Sequence, residues 1–573
     1  MTTSDTPPQE RCTRRLVGLP ARLLSMTKKR LCAISLKMSS VFPFLSISEV
    51  LGIFGIIVLA FFVRVMISNI RPFQSDESIY VYASYAVTRG VVPYRQIFFA
   101  HPPLMYVTYC AFIRLVGPDF VRIRLLNVIV FLSTVFLTYV MARMILKSQN
   151  GNRTYALLSA AVYAFYPSYF LLISTTSLLE NMLTLLTIGA VVSYLAFRNS
   201  RSKWLLFFAG VLMGLALITT LRAVLFVLPM LLFHVFACFW RRKYKAAFTD
   251  IAYALSGVLI PVLLVVVWAA IYWQALPQLY LQIIYRQMIR PYQEGRLLDI
   301  NWYIDSIFPL IVMGVLGAIY SARIAKVKRE SSFVLPIFIF GVSFVALLFA
   351  FSNTFFHYFF YLNPYLAFLS VVCFLQVKSI LATNGSSVAR IKLDRNLTLL
   401  SIFVVLLFLL SFQAIGNFRE TEMPYFRQTA YNSLHFYVGS SVAMITEPSD
   451  RIWTSECAIS FFSQRLIVAP NSSSWPVQGF FSSWFDFSSY DSQERHEISL
   501  LDTAQFVEAW EREKVKVIVF ILGKGWVPYP DELLWNGFQE KEGVASYVQE
   551  EYEMQLMVAS PDVPYVYYVW VRK

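Results

Sequence analysis

Two adjacent carboxylates, Asp76 and Glu77, directly follow the first long apolar segment of the chain, and a third, Glu180, lies at the end of another. Ionisable groups at the level of a bilayer are costly, so those present are candidates for function. A carboxylate can accept the proton of an attacking hydroxyl group. Asp76, Glu77 and Glu180 are therefore candidate catalytic residues. The structural alternatives are a solvated loop for the adjacent pair and a helix end or an arginine-paired acid for Glu180.

The composition places these acids in a membrane protein. The chain of 573 residues is 57% hydrophobic and 14% charged, which excludes a soluble globular enzyme and a disordered chain. Residues 1–415 carry a net charge of +24 and residues 416–573 a net charge of −9, an asymmetry typical of two environments. The basic residues are spread between apolar segments, which argues against a nucleic-acid partner. The six cysteines show neither a disulfide framework nor a zinc motif.

Eleven segments are apolar and long enough to cross a bilayer core, which takes about 20 residues per helix. They lie near 50–70, 123–142, 155–178, 181–197, 204–219, 223–240, 248–272, 303–321, 332–351, 360–377 and 397–415. The first segment is too long for a signal peptide and no small-residue cleavage site follows it. The sequence therefore predicts an α-helical polytopic membrane protein with about 11 transmembrane helices.

Lysine and arginine in the connections predict the orientation. Of the 37 basic residues before residue 416, 26 lie on one side of the predicted spans, eight of them in residues 1–45. That side is cytoplasmic by the positive-inside rule, and an odd number of spans puts the acidic tail outside. The predicted domains are a basic cytoplasmic segment, 1–45, a transmembrane domain, 46–415, with its first outer loop at 71–121, and an extracytoplasmic α/β domain, 416–573.

The tail domain is predicted from alternating strand-like and helical segments. The predicted strands are Arg451–Trp453, Arg465–Val468, Val515–Leu522 and Tyr565–Val571, and the predicted helix is Thr503–Glu513. This pattern favours a small α/β domain. Its role would be to bind an acceptor substrate or to cap a cavity of the transmembrane domain.

The basic residues predicted on the outer side are all arginines. They are Arg64, Arg71, Arg89, Arg95, Arg114, Arg122, Arg124, Arg222, Arg286, Arg290 and Arg296. Arginine binds phosphate through two parallel charge-assisted bonds, whereas lysine offers a point charge. The pattern favours an outward-facing phosphate site, with Arg89, Arg95, Arg122 and Arg222 as candidate substrate ligands, and solubility of the outer loops as the alternative. His357, at the start of the tenth span, could reach the same cavity or could be an interface histidine.

The first outer loop contains two predicted surface helices. Residues 76–88 have a helical period that places Tyr80, a candidate substrate-binding residue, on one apolar face. Gly90 ends this helix. A second apolar helix, about 102–116, follows two prolines and ends before Gly117.

The sequence of this loop resembles that of a known family. The segments Asp-Glu-Ser-Ile-Tyr at 76–80, Gly-Val-Val-Pro-Tyr at 90–94 and His-Pro-Pro-Leu at 101–104 precede Arg122 and Arg124 at the start of a span. This order is similar to the first outer loop of GT-C glycosyltransferases, in particular protein O-mannosyltransferases and the aminoarabinose transferases of lipid A. The resemblance covers roughly residues 50–240. It implies a multispan helical body and a sugar donor carried on a polyprenyl phosphate.

The resemblance also implies roles for single residues. Asp76 matches the catalytic aspartate of the family, Glu77 its neighbour and Glu180 a second acid. His101 and Arg122 match positions near the lipid phosphate.

Two departures from the family pattern concern Gln96, where many relatives have Asp, and Ala100, where the aminoarabinose enzymes have a metal-associated Glu. The resemblance therefore implies no certain cofactor. A divalent metal stays open as an alternative, but the sequence does not support one.

The residues and the resemblance together predict a membrane glycosyltransferase. It would move a sugar from a polyprenyl (dolichyl or undecaprenyl) phosphate to a glycan, lipid or protein acceptor. The reaction would take place on the outer face of a membrane, and a prokaryotic cell membrane is the expected location. Transfer would be inverting, with Asp76 as the base. The alternatives are a polytopic secondary transporter, a non-catalytic receptor, and an oligosaccharyltransferase-like variant suggested by Trp484-Phe485-Asp486-Phe487.

Overall fold

The computed structural model of the chain describes most of the apolar body and part of the tail. The described residues are 46–70, 75–97, 99, 101–148, 152–166, 174–240, 244–285, 296–328, 330–350, 356–383, 428–454, 457–468, 507–523, 544–559 and 565–573. The predicted segment 1–45, the predicted span 397–415 and the motif at 484–487 lie outside them.

The chain forms two compact units, Met1–Leu59 and Ala60–Lys573. In the first, a capping box opens helix α1. The backbone N–H and the hydroxyl of Ser46 both donate to the carboxylate of Glu49 at 2.9 Å, which satisfies donors that a helix start leaves unpaired. The domain boundaries predicted from the sequence stay a prediction.

Helices make up the apolar part of the chain. Their bounds are α1 Ile47–Ile70, α2 Ser75–Thr88, α3 Leu104–Val116, α4 Phe120–Ile145, α5 Asn152–Phe165, α6 Leu179–Ser200, α7 Lys203–Leu217, α8 Val224–Trp240, α9 Tyr244–Ile271, α10 Leu276–Tyr280, α11 Arg296–Lys328, α12 Leu335–Ala350 and α13 Asn363–Thr383. Short 3-10 turns, Leu221–Ala223 and Phe356–Leu362, precede α8 and α13. Within the described residues, eight helices are long and apolar enough to cross a membrane. The fold is that of a helical integral membrane protein.

The predicted spans and the helices agree at eight places. The predicted span 204–219 corresponds to α7, which has only 15 residues. Within the predicted span 155–178, α5 covers the residues up to Phe165. Residues 174–178, the other described part of this span, are extended or turned and include four polar residues at 174–177.

The first outer loop folds as its turn residues predict. α2 ends where Gly90 adopts a φ of +90°, and α3 ends where Gly117 adopts a φ of +86°, a left-handed conformation that favours glycine. Asp119 then caps α4, because its side chain accepts a hydrogen bond from the backbone N–H of Arg122 at 2.9 Å.

The described residues of the tail form a five-stranded mixed sheet. The strands are β1 Arg451–Thr454, β2 Leu466–Ile467, β3 Val517–Gly523, β4 Tyr552–Ala559 and β5 Tyr565–Arg572. Their order is β2-β1-β3-β5-β4; β1 is parallel to β2 and β3, and β5 is antiparallel to β3 and β4. All four predicted strands are present, and residues 507–512 of the predicted helix are helical.

Helices cover both faces of this sheet. They are α14 Gln428–Ile445, α15 Cys457–Ser463 and α16 Val544–Glu551. Along β3, Val517, Val519 and Ile521 join the apolar cluster that includes residues of α14, while Ile518 and Phe520 join the opposite cluster with residues of α16. This period-2 burial on both faces makes the tail an α/β layered structure, as the fold class predicts.

The α2 helix lies between the apolar body and the tail. The sequence predicts one buried face, but Tyr80, Tyr82 and Tyr85 are all buried. The hydroxyl of Tyr82 accepts a hydrogen bond from the backbone N–H of Ile467 at 2.9 Å, and the hydroxyl of Tyr85 donates to the carbonyl of Gln464 at 2.8 Å. The tail therefore covers the face that the sequence pattern assigns to solvent.

Candidate active site

Three helix starts bring charged side chains together. Glu180 lies in the first turn of α6, Arg222 in the turn before α8, and His357 in the turn before α13. Nη1 of Arg222 donates to Oε1 of Glu180 at 3.0 Å, and Nε2 of His357 lies 3.9 Å from the same oxygen. Both Glu180 and Arg222 are buried. These residues are 42 to 177 positions apart in the sequence, so only the helix packing can assemble them.

The guanidinium of Arg222 is held in one orientation. Its Nε donates to the Thr220 hydroxyl at 3.3 Å, and its central carbon lies 3.5 Å from the ring centroid of Tyr358, a cation–π contact. Nη2 makes no hydrogen bond within the described part of the chain. A fixed guanidinium with an unengaged edge can bind an anion such as phosphate.

Tyr80 interacts electrostatically with both Arg222 and Asp76. Burial raises the pKa of Tyr80 well above its ordinary value, and the charges of Asp76 and Glu180 raise it further while Arg222 opposes them. These three charges therefore act on the Tyr80 hydroxyl, which stays protonated at neutral pH. The ring of His101 packs edge-on against Tyr80, with centroids 5.8 Å apart. Asp76 itself is half-buried.

Glu77 points away from this group and forms a buried ion pair. Nε and Nη2 of Arg124 donate to its two carboxylate oxygens at 2.9 and 2.6 Å, and the backbone N–H of Ser177 donates to Oε1 at 3.1 Å. Nη1 of Arg124 donates to the Ser68 carbonyl at 2.7 Å. Glu77 and Arg124 have no exposed side-chain surface. The contacts make Glu77 a residue that fixes α2 in place, whereas the sequence groups it with the catalytic acids.

Three arginines that the sequence selects lie outside the cluster. The exposed Arg122 donates to the Val116 carbonyl at the end of α3, at 2.6 Å. Arg89 and Arg95 are exposed and make long contacts of 3.4 Å with the Pro448 carbonyl and the Gln274 side chain. The expected convergence of Arg122 with Arg222 is therefore not seen.

The helical period of α4 explains this difference. Arg122 lies on a face with the exposed residues Leu125 and Ile129, whereas Arg124 lies on a face with the buried Asn127 and Phe131. Residues three or four positions apart share a helix face. The polar residues on the face of Arg124 are a signal in the sequence that could have identified it as the interior arginine. Tyr358 carries no such signal, because it lies in a uniformly aromatic segment.

Among the described residues, no three ligand atoms of the carboxylates and histidines in this cluster lie within 4.8 Å of one another.

Comparison with solved structures decides the fold class. ArnT from Cupriavidus metallidurans bound to undecaprenyl phosphate matches with a TM-score of 0.58 at 13% sequence identity, covering 92% of this chain and 98% of that one. Its apo state matches with a TM-score of 0.56 at 14% identity, covering 90% and 97%. The chain has the GT-C fold. The resemblance seen in the first outer loop is thus confirmed.

A match of the sequence to a family model agrees with the GT-C fold. The family model described as dolichyl-phosphate-mannose-protein mannosyltransferase matches residues 100–273, a segment that includes His101, Glu180 and Arg222. AglB from Archaeoglobus fulgidus, in complex with an inhibitory peptide and a dolichol-phosphate, matches with a TM-score of 0.47 at 12% identity, covering 90% of this chain and 74% of that one. No curated protein sequence matches the chain.

Proposed function

We propose that the chain is a membrane glycosyltransferase that transfers a sugar from a polyprenyl phosphate to a hydroxyl acceptor. The observation that carries this proposal is the buried Arg222, which Glu180 and Tyr358 hold and whose Nη2 makes no hydrogen bond to the described residues. Its charge and that of the half-buried Asp76 both act on Tyr80. The family match over residues 100–273 and the fold shared with ArnT, which was solved with undecaprenyl phosphate, support it. Dolichyl and undecaprenyl carriers both present a phosphate group at the membrane surface.

Asp76 is proposed as the general base. Its carboxylate accepts the proton of the acceptor hydroxyl while the hydroxyl oxygen attacks the anomeric carbon of the donor. The bond from that carbon to the phosphate oxygen breaks, and the sugar configuration inverts. The half-buried position of Asp76 on α2 leaves part of its surface open to an acceptor.

Arg222 is proposed to bind the phosphate. Negative charge grows on the phosphate as the bond to the sugar breaks, and a fixed cation stabilises it without reorganising. Glu180 then acts as a positioning residue, because its carboxylate holds Nη1 of Arg222. His101 and His357 lie at the edge of the same group and are proposed as further contacts to donor groups.

The helix-end position of the cluster favours an enzyme over a transporter, whose substrate sites lie near the bilayer midplane on broken helices. The charge pattern of the loops places this end on the outer face and the N-terminus in the cytoplasm. We therefore propose an outward-facing site, in a prokaryotic cell membrane, covered by the tail domain.

Purified protein incubated with a panel of radiolabelled polyprenyl-phosphate sugars tests the function. We expect one donor to release free polyprenyl phosphate and transfer its label to an acceptor, with Arg222→Gln showing weakened use of that donor. A panel of dolichyl and undecaprenyl donors that all remain intact would contradict the proposal.

A further inference from the structure

A second group of ligand-type side chains lies where α8 ends and α9 begins. His234 and Cys238 are four residues apart on one face of α8, and Asp250 lies on α9. One ligand atom from each lies within 4.8 Å of the other two. Across the described residues, no other three His, Cys, Asp or Glu side chains meet this condition. The sequence gives no sign of it, because His-x3-Cys-x11-Asp is not a common metal motif.

The distances between the ligand atoms fit a single bound ion. Sγ of Cys238 lies 3.5 Å from Nε2 of His234, which lies 3.4 Å from Oδ2 of Asp250. In tetrahedral zinc sites the metal lies about 2.3 Å from sulfur and about 2.0–2.2 Å from nitrogen or oxygen. Those lengths place sulfur about 3.6 Å from nitrogen and nitrogen about 3.4 Å from oxygen. The observed separations are those of two edges of such a tetrahedron.

Two of the three side chains have further polar neighbours that fix their orientation. Nδ1 of His234 lies 3.3 Å from the hydroxyl of Tyr194, a contact of the kind that fixes the tautomer of a ligating histidine. Lys203 pairs with Oδ1 of Asp250, which leaves Oδ2 as the oxygen nearest to His234. His234 and Asp250 are buried, so their positions are set by packing.

We propose that His234, Cys238 and Asp250 bind a divalent zinc ion. The mixed nitrogen, sulfur and oxygen set suits zinc. Binding requires Cys238 to lose its proton, and the resulting thiolate and the carboxylate of Asp250 are the two anionic ligands of the ion.

The proposed ion would be distinct from the sugar-transfer site. His234 and Cys238 follow Arg222 by 12 and 16 residues along α8, which corresponds to about 18–24 Å at 1.5 Å per residue. An ion at this distance cannot touch the donor phosphate. Its ligands lie on two consecutive helices, so it would join the end of α8 to the start of α9 as a structural link.

Cobalt(II) is the probe for the test, because a thiolate bound to it gives a charge-transfer absorption. Purified, chelator-treated protein in detergent is titrated with Co²⁺, and we expect this absorption at one ion per chain, removed by Zn²⁺. Cys238→Ser should abolish it. The control Cys373→Ser, at a buried cysteine of α13, should retain it. Asp250→Asn should keep the absorption but weaken Co²⁺ binding at least tenfold.

Thermal unfolding of the same proteins gives a second measurement. Zn²⁺ should raise the Tm of the wild-type protein and of Cys373→Ser, and leave the Tm of Cys238→Ser unchanged. Absence of the absorption in the wild-type protein, or its persistence in Cys238→Ser, would overturn the proposal and leave the group as an ion pair between Lys203 and Asp250 beside a neutral histidine.

Discussion

The buried ion pair between Glu77 and Arg124 should control both stability and the placement of Asp76. Replacing Arg124 with Met removes two bonds to Glu77 and one to the Ser68 carbonyl. The single bond from the Ser177 N–H remains for a carboxylate with no exposed surface. Removing one partner of a buried ion pair typically costs about 3–5 kcal/mol. We expect Arg124→Met to lower the free energy of unfolding by that amount.

The control and the rescue variant separate charge burial from loss of packing. Arg122→Met, two residues earlier on the same helix, removes an exposed arginine with one carbonyl contact and should cost less than about 1 kcal/mol. The double variant Glu77→Met/Arg124→Met leaves no unpaired buried charge, so it should recover at least about 2 kcal/mol of the loss.

Equilibrium unfolding in mixed detergent micelles, titrated with a denaturing detergent, measures these differences. If the double variant is stable but transfers sugar poorly, the ion pair positions Asp76 as well as stabilising α2. Equal stability of Arg124→Met and Arg122→Met would refute the reasoning, because the cost derives from the burial that distinguishes the two arginines.

Three further predictions follow from other contacts. Arg222→Lys should lower transfer about tenfold or more, since lysine cannot reproduce the fixed fork, whereas the exposed Arg95→Lys should remain near wild type in the same assay. Tyr82→Phe, which removes the acceptor for the Ile467 N–H, should make the tail more susceptible to limited proteolysis. Burial lowers the pKa of His435 to about 3, below the ordinary value of about 6.5. Between pH values of about 3 and 6.5, the unfolded chain therefore binds one proton more than the folded chain. The free energy of unfolding should fall as the pH drops from about 6.5 towards 3. His435→Gln should flatten this dependence of Tm on pH.

The fold can be predicted well from the sequence, because local patterns and amino-acid composition determine most of its elements. Apolar runs of about 20 residues predict the spans, and Gly90 and Gly117 mark the helix ends in the first outer loop. The continuous apolar run at 517–522 predicts the central, buried strand. Residues 174–178, at the end of the predicted span 155–178, are the exception, because hydropathy averaged over a window does not resolve the polar residues at 174–177, which are extended or turned.

The candidate site was only partly predictable. Asp76, Glu180 and Arg222 were identified by charge in an apolar context, and the structure places them around Tyr80. The choice of Arg122 over Arg124 rested on position in a motif, whereas burial is decided by which face of α4 packs inward. The burial of the remaining faces of α2 depends on the tail, more than 350 residues away, and no local pattern contains that information.

Single-turnover transfer by Asp76→Asn tests the central claim most directly. The substitution keeps the shape of the side chain and removes its basicity, and a general base contributes typically about 10²–10⁴-fold to the rate. The account predicts a loss of that size in the release of polyprenyl phosphate from the preferred donor, with donor binding unchanged. Turnover by Asp76→Asn near that of the wild-type protein would contradict it.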